Sequence, residues 1–198
     1  MDALMLDGDD SMVRLPSGAT NTMQGAIAGV IVQAGTVTAN LPAIAQPVSL
    51  VPRQIPSAPG EFVNRTRELA LLEAAASAPG DGPAVVVVSG IGGVGKTGLG
   101  VHWAHRTRDR FAGGQLYCDL GRSEHGGGTD VGDVLAGFLR ALGAREEWID
   151  PGVEARGALF RTLTAERSPM LVLLDNVAHA GQVEPLLPGA PGSVVVAV

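Results

Sequence analysis

Residues Gly90-Ile91-Gly92-Gly93-Val94-Gly95-Lys96-Thr97 bring glycines, one lysine and one hydroxyl together in consecutive positions. Their spacing, Gly-x-x-x-x-Gly-Lys-Thr, is that of a phosphate-binding loop. Glycines at 90, 92, 93 and 95 allow successive backbone N–H groups to turn inward around an anion without Cβ clashes. Lys96 adds a mobile point charge for the β- and γ-phosphates, and Thr97 adds a hydroxyl oxygen for Mg2+. A helix opening there, through Gly98, points its positive end at the same anion. A second chemical feature is Met170-Leu-Val-Leu-Leu-Asp-Asn176, a continuous apolar run ending in one carboxylate. A buried parallel strand that delivers Asp175 to the ligand-binding edge of a sheet reads in this way, and beside the glycine loop that acid would hold Mg2+ through water.

The elements that must position these groups are legible on either side. The β-branched run Val85 to Val88 predicts a buried strand feeding the loop. Residues 67–76 and 98–111 predict helices, the first capped by Asn64 and ended by Pro79-Gly-Asp-Gly-Pro83. Residues 115–120 predict a second strand, followed by a glycine-rich loop over 122–129 that carries His125. Helices are expected over 130–142, from the stripe Val134, Leu135, Phe138, Leu139, Leu142, and over 153–166. A short helix over 182–187 and a buried strand over 193–198 complete the pattern. His102 and His105 lie three apart on one predicted helix, but no third ligand is placed to complete a metal site, so they read as surface histidines.

The 198 residues carry a net charge of −6 and one cysteine, Cys118. The acidic excess is spread along the chain and gives no sign of a nucleic-acid surface. A lone cysteine inside a predicted strand excludes an intrachain disulfide, reads as a small buried hydrophobe and fits a reducing cytoplasm. The acidic start, Met1 to Asp10, lacks the basic character of a secretory signal. From Leu15 to Pro52 there is no charged residue, and residues 21–38 are also proline-free. The core Val30-Ile-Val-Gln-Ala-Gly35 has the composition of a cross-β zipper, with Gln33 able to stack into an amide ladder. Plain disorder and a poor membrane helix compete with that reading. Prolines 42, 47, 52, 56 and 59 predict an extended linker over 41–60. The expected organisation is therefore a largely disordered region over 1–60 followed by a nucleotide-binding domain over 61–198.

Two resemblances extend this reading. Asn21, Gly25, Gly29 and Val32-Gln33-Ala34-Gly35 resemble the short amyloid-signalling motifs found ahead of nucleotide-binding switch proteins in filamentous actinobacteria, which are similar to the RHIM motifs of animal necroptosis proteins. Residues 61–198 resemble the nucleotide-binding domain of STAND ATPases of the NB-ARC type, found in plant disease-resistance proteins, apoptotic scaffolds and many actinobacterial regulators. Phe62-Val63-Asn64-Arg65 with Glu68-Leu69 looks like that family's opening motif, Gly90 to Thr97 its Walker A, Leu116 to Leu120 its second strand and Leu171 to Asn176 its Walker B. The resemblance implies a three-layer α/β P-loop NTPase fold of the ASCE type with a parallel sheet. It also implies ATP or ADP with Mg2+ as ligands, nucleotide contacts from Phe62, Val63 and Arg65, and roles in metal binding and water activation for Asp175 and the position after it. That position is Asn176, which can orient a water but cannot take its proton. Asn64 stands where the family usually has Gly. The family's polar sensor lies beyond the strand on which this chain ends, so the sheet is expected to be incomplete at its C-terminus. The last strand should then insert between the first and the Asp175 strands, leaving the first as an apolar edge.

Three function classes follow: a nucleotide-driven signalling switch that assembles and presents its N-terminal segment, an assembly scaffold whose nucleotide domain is inert, and a small-molecule kinase. No cluster of acid, His or Arg residues stands out as an acceptor-substrate site for the last. Self-association or pairing with a matching effector motif is expected from residues 21–38. A peptide of residues 15–45 is expected to form thioflavin-positive fibres with a cross-β spacing, and Gln33→Asp is expected to block them by placing a column of like charges at the stacking interval. A wild-type peptide that stays soluble at high concentration, or turns helical in lipid, would sink the zipper reading.

Overall fold

The computed structural model describes residues 12–14, 36–38, 51–58, 60, 62, 65–121 and 129–198. The chain divides into two units, Met1–Pro47 and Val48–Val198. In the first, strand β1 (Met12–Arg14) pairs antiparallel with β2 (Thr36–Thr38), Val13 standing opposite Val37. Apart from 36–38, the candidate stacking segment 21–38 lies outside the described residues, as does the loop over 122–128 with His125.

The second unit runs α1 (Thr66–Ala76), β3 (Ala84–Val87), α2 (Lys96–Arg106), β4 (Gly114–Asp119), α3 (Val131–Ala141), α4 (Val153–Ala165), β5 (Met170–Asp175) and β6 (Val194–Ala197). Its strands form one parallel sheet in the order β3-β6-β5-β4. The last strand thus inserts between the first and the Asp175 strand, as the sequence predicts. Every residue of β5 and β6 is buried, and the two-residue alternation of a strand divides them between two cores. Leu171, Leu173, Val194 and Val196 pack with Leu72, Ala76, Val101 and Trp103 of α1 and α2. Val172, Leu174, Val195 and Ala197 pack with Val134, Leu135, Leu139 and Phe160 of α3 and α4. The unit is therefore a three-layer α/β/α arrangement whose middle strands are apolar on both faces because each face has helices over it.

Several boundaries differ from those predicted. The first strand, an apolar run, lies at the sheet edge, as the insertion of β6 requires. Ala84 and Val86 pack into the α1/α2 core, while Val85 and Val87, pointing the other way, are 47% and 70% exposed. Helix α2 begins at Lys96 and stops at Arg106, where Thr107 Oγ1 donates back to the Trp103 carbonyl and the chain tightens into a 3-10 turn over Arg108–Arg110. In place of a helix over 182–187 there are two 3-10 turns, Ala180–Gln182 and Glu184–Leu186, because Pro185 has no N–H to offer an α-helical ladder. Helix α1 has Arg65 at its N-cap with no side-chain cap bond, and Asn64 lies outside the described residues. Asp130 caps α3, accepting from the Asp133 N–H.

At the opposite edge, part of the proline-spaced stretch adds to the sheet. Gln115 N–H donates to the Pro52 carbonyl at 2.8 Å and Gln54 N–H donates to the Gln115 carbonyl at 2.9 Å, so Arg53 bridges Gln115 in parallel. Pro52 is buried and Ile55 packs against the α1/α2 core. Prolines suit this role, since an edge segment needs N–H groups on one side only.

Among the described residues no helix is long and apolar enough to cross a membrane. Cys118, half-buried in β4, is free, and burial followed by the Asp119 carboxylate pushes its thiol up to about 11. Two measurements check this description. Leu173→Ala, in the core, is expected to cost about 2–5 kcal/mol in urea unfolding, whereas Val87→Thr, on the open face of β3, should stay within about 0.5 kcal/mol. Alkylation of Cys118 at pH 8 is expected to run about a hundredfold slower in the folded chain than in urea, because only the thiolate reacts. Equal rates would mean that β4 does not shield it.

Candidate functional site

β3 ends at Val87, α2 begins at Lys96, and the glycine loop fills the space between. Gly93 and Gly95 take φ of 74° and 89°, a left-handed backbone that costs a side-chain-bearing residue roughly 1 kcal/mol or more. Gly95 is also the N-cap of α2 and brings no side-chain cap, so the first N–H groups of the helix are not spent on one. Lys96 folds back over the loop and its Nζ donates to the Gly90 and Ile91 carbonyls at 3.1 and 3.2 Å. An ammonium held by two neutral carbonyls gains direct Coulomb attraction when it exchanges them for an anion. Ile91 is 78% exposed at the loop's tip. Gly98 is already inside α2.

Asp175 closes the other side. It is the last residue of β5, buried to 5% exposure, and its Oδ1 accepts from Thr97 Oγ1 at 2.8 Å across 78 residues of chain. The same oxygen accepts from the Asn176 N–H at 3.1 Å, and Tyr117 donates to Oδ2 at 3.5 Å, near the limit of a hydrogen bond. A carboxylate this deep requires such partners, each charged bond being worth about 1.5–3 kcal/mol. The two oxygens that the sequence assigns to a metal, Thr97 Oγ1 and Asp175 Oδ1, therefore stand side by side. Among the described residues no group of three or more His, Cys, Asp and Glu comes together to hold a metal.

Asn176 begins the turn out of β5 with φ 55°. Its side-chain Nδ2 donates to Asp119 Oδ1 at 2.8 Å. Asp119 is the last residue of β4 and stands in register with Asp175, so the two strands end on adjacent acids. This geometry bears on the residue type at 176, because an aspartate there would set a second carboxylate against that of Asp119 and the pair would repel.

The opening motif divides. Arg65 reaches the loop, its Nη2 donating to the Val94 carbonyl, while its Nη1 meets Glu68 at 3.4 Å. Phe62 stacks on the His102 ring of α2 with centroids 4.0 Å apart. Val63 lies outside the described residues. His105 Nε2 is 2.8 Å from the Pro56 carbonyl, so the two predicted surface histidines serve different segments. Lys96, Thr97, Asp175 and Arg65 thus converge on the glycine loop, and Phe62 sits on the helix that the loop opens. Sequence reasoning missed Tyr117 and Asp119. Their signal was present in the second strand, where a hydroxyl and a carboxylate recur at the two-residue period of one strand face.

No family model matches the chain. It is 46% identical over 153 residues to "Regulatory protein AfsR" of Streptomyces coelicolor and 44% identical over 147 residues to "Regulatory protein AfsR" of Streptomyces griseus. Those stretches take in 73% and 72% of this chain. The similarity is thus to regulatory proteins, and the chain spans 15% of the length of each.

Proposed function

We propose that residues 61–198 are a P-loop nucleotide-binding domain of the STAND, NB-ARC type, and that the chain works as a nucleotide-dependent signalling switch. The observation that carries this reading is the convergence of Lys96, Thr97 and Asp175 on one glycine loop at the C-terminal edge of a parallel sheet. In open α/β sheets that edge is where ligands bind. The loop N–H groups and Lys96 would take the phosphates of ADP or ATP. Thr97 and Asp175 are hard oxygen donors that suit Mg2+, which keeps several waters and takes further ligands from the phosphates themselves. Bound there, Mg2+ would neutralise charge on the terminal phosphates. Arg65 steadies the loop from outside through the Val94 carbonyl.

A regulatory role is supported by the similarity to the two Streptomyces regulatory proteins. Exchange of ADP for ATP would drive assembly in the cytoplasm and bring copies of residues 21–38 together, raising their local concentration as tethering does. Hydrolysis would be slow, since Asn176 has no titratable group with which to take a proton from water. A switch of this kind is served by a ligand held long and cleaved seldom.

Calorimetry with Mg-ADP tests the reading. The wild-type chain is expected to bind, and Lys96→Ala is expected to lose at least about tenfold in affinity, because a charge-assisted contact worth about 1.5–3 kcal/mol is removed. Lys96 is held only by two loop carbonyls, so the variant should unfold at the same temperature as the wild type within a few degrees. Equal affinity in the two proteins would refute the proposal.

A further inference from the structure

Resting on the nucleotide-binding reading, we infer that Asp119 is a positioning residue for the reaction at the glycine loop. It acts through the side-chain amide of Asn176.

The argument begins with hydrogen-bonding chemistry. A carboxylate can only accept, so the part of the Asn176 amide that faces Asp119 at 2.8 Å is its NH2 group. That contact fixes the flip of the amide. With Nδ2 turned to β4, the oxygen Oδ1 is the acceptor that Asn176 has left to offer at the sheet edge. An amide free to rotate would present donor and acceptor in turn and would orient a water poorly.

The surroundings hold the arrangement from several sides. Asp119 is itself fixed by the Gly121 N–H, which donates to the same Oδ1 at 3.0 Å. The Asn176 backbone is pinned on one side by its N–H bond to Asp175 and on the other by the Val177 N–H bond to the Val198 carbonyl. Its φ of 55° is a region that asparagine tolerates better than most residues. Space for it exists only because position 121 is glycine: a Cβ there would lie 2.8 Å from Asn176 Cβ. Backbone, neighbour and carboxylate therefore agree on one orientation of one amide, directly after the acid that bonds Thr97. Nothing in the packing of the two cores requires this bond, as Asn176 is exposed. A role in presenting its oxygen accounts for the bond, which fixes the amide at the end of two adjacent strands.

The test uses the full chain and three measurements: Mg-ADP affinity by calorimetry, single-turnover cleavage of Mg-ATP, and the 15N-resolved side-chain amide of Asn176. Asp119→Ala is expected to bind Mg-ADP within about twofold of wild type and to cleave Mg-ATP about tenfold to a hundredfold more slowly, the scale of loss when a reacting group is misplaced. The two Asn176 amide protons should collapse towards the shifts of a free amide. Asp119→Asn keeps an acceptor oxygen and should restore cleavage to within about threefold. Asn176→Gly suits the left-handed backbone and should be slow in the same way, and adding Asp119→Ala to it should slow cleavage no further, since the residue being positioned is already gone. The inference is overturned if Asp119→Ala cleaves at the wild-type rate, if it loses affinity and cleavage together, if the double variant is additive, or if the wild type binds Mg-ATP and never cleaves it. Absence of Mg-ADP binding in the wild type would instead strike at the nucleotide reading and remove this inference with it.

Discussion

Burying a carboxylate at the end of an apolar strand is the constraint on which the site depends. Asp175 follows five residues of β5 that are sealed between two helical layers, and it is itself almost without solvent. Unpartnered, such a group would be unstable by several kcal/mol in its charged form. Its solution is to draw Thr97 Oγ1, the Asn176 N–H and the Tyr117 hydroxyl to its two oxygens. Each of these comes from a different element, so satisfying one acid aligns α2, β4 and the exit from β5. The glycine loop is then held at both ends, by β3 behind it and by the Thr97 bond ahead of it.

The sheet that carries the acid treats its two edges differently. On the β4 side, residues 52–54 extend the pairing and Pro52 is buried. On the β3 side, among the described residues, pairing comes from β6 alone and two valines face outward. The difference follows from composition. Prolines can line an edge but not continue a ladder, whereas the run Val85-Val-Val-Val88 has every N–H needed for further pairing.

Much of this was legible in the sequence because it rests on strong, local signals. The glycine loop needs left-handed backbone at fixed intervals, and only glycine supplies it cheaply. The all-apolar run ending in Asp175 could only be a strand covered on both faces. The stripe from Val134 to Leu142 could only be a helix with one side in a core. What was not legible depends on contacts distant in the chain. The edge place of the first strand was foreseen, but which of its valines stay open, Val85 and Val87 rather than Val86, is decided by the helices that cover one face. That Pro52 is buried depends on the vacant edge of β4, which lies more than sixty positions away. The Asp119 to Asn176 bond joins residues separated by 57 positions, and no spacing rule announces it. Residues 21–38 carry a pattern whose partners, on the zipper reading, are other copies, which a single chain cannot display.

The segment beside β4 has a mechanical consequence. Arg53 and Gln115 pair in parallel, so tension directed along residues 52–54 loads their bonds to β4 in shear. Shear of this kind strains both backbone bonds at once, together with the Arg53 bond to the Phe111 carbonyl. Its downstream neighbour Pro56 is tied to His105 near the end of α2, the helix whose first residues are Lys96 and Thr97. Residues 52–56 are thereby joined by hydrogen bonds both to β4 and to the C-terminal end of the helix that begins at Lys96, so tension along them is shared between the sheet edge and that helix.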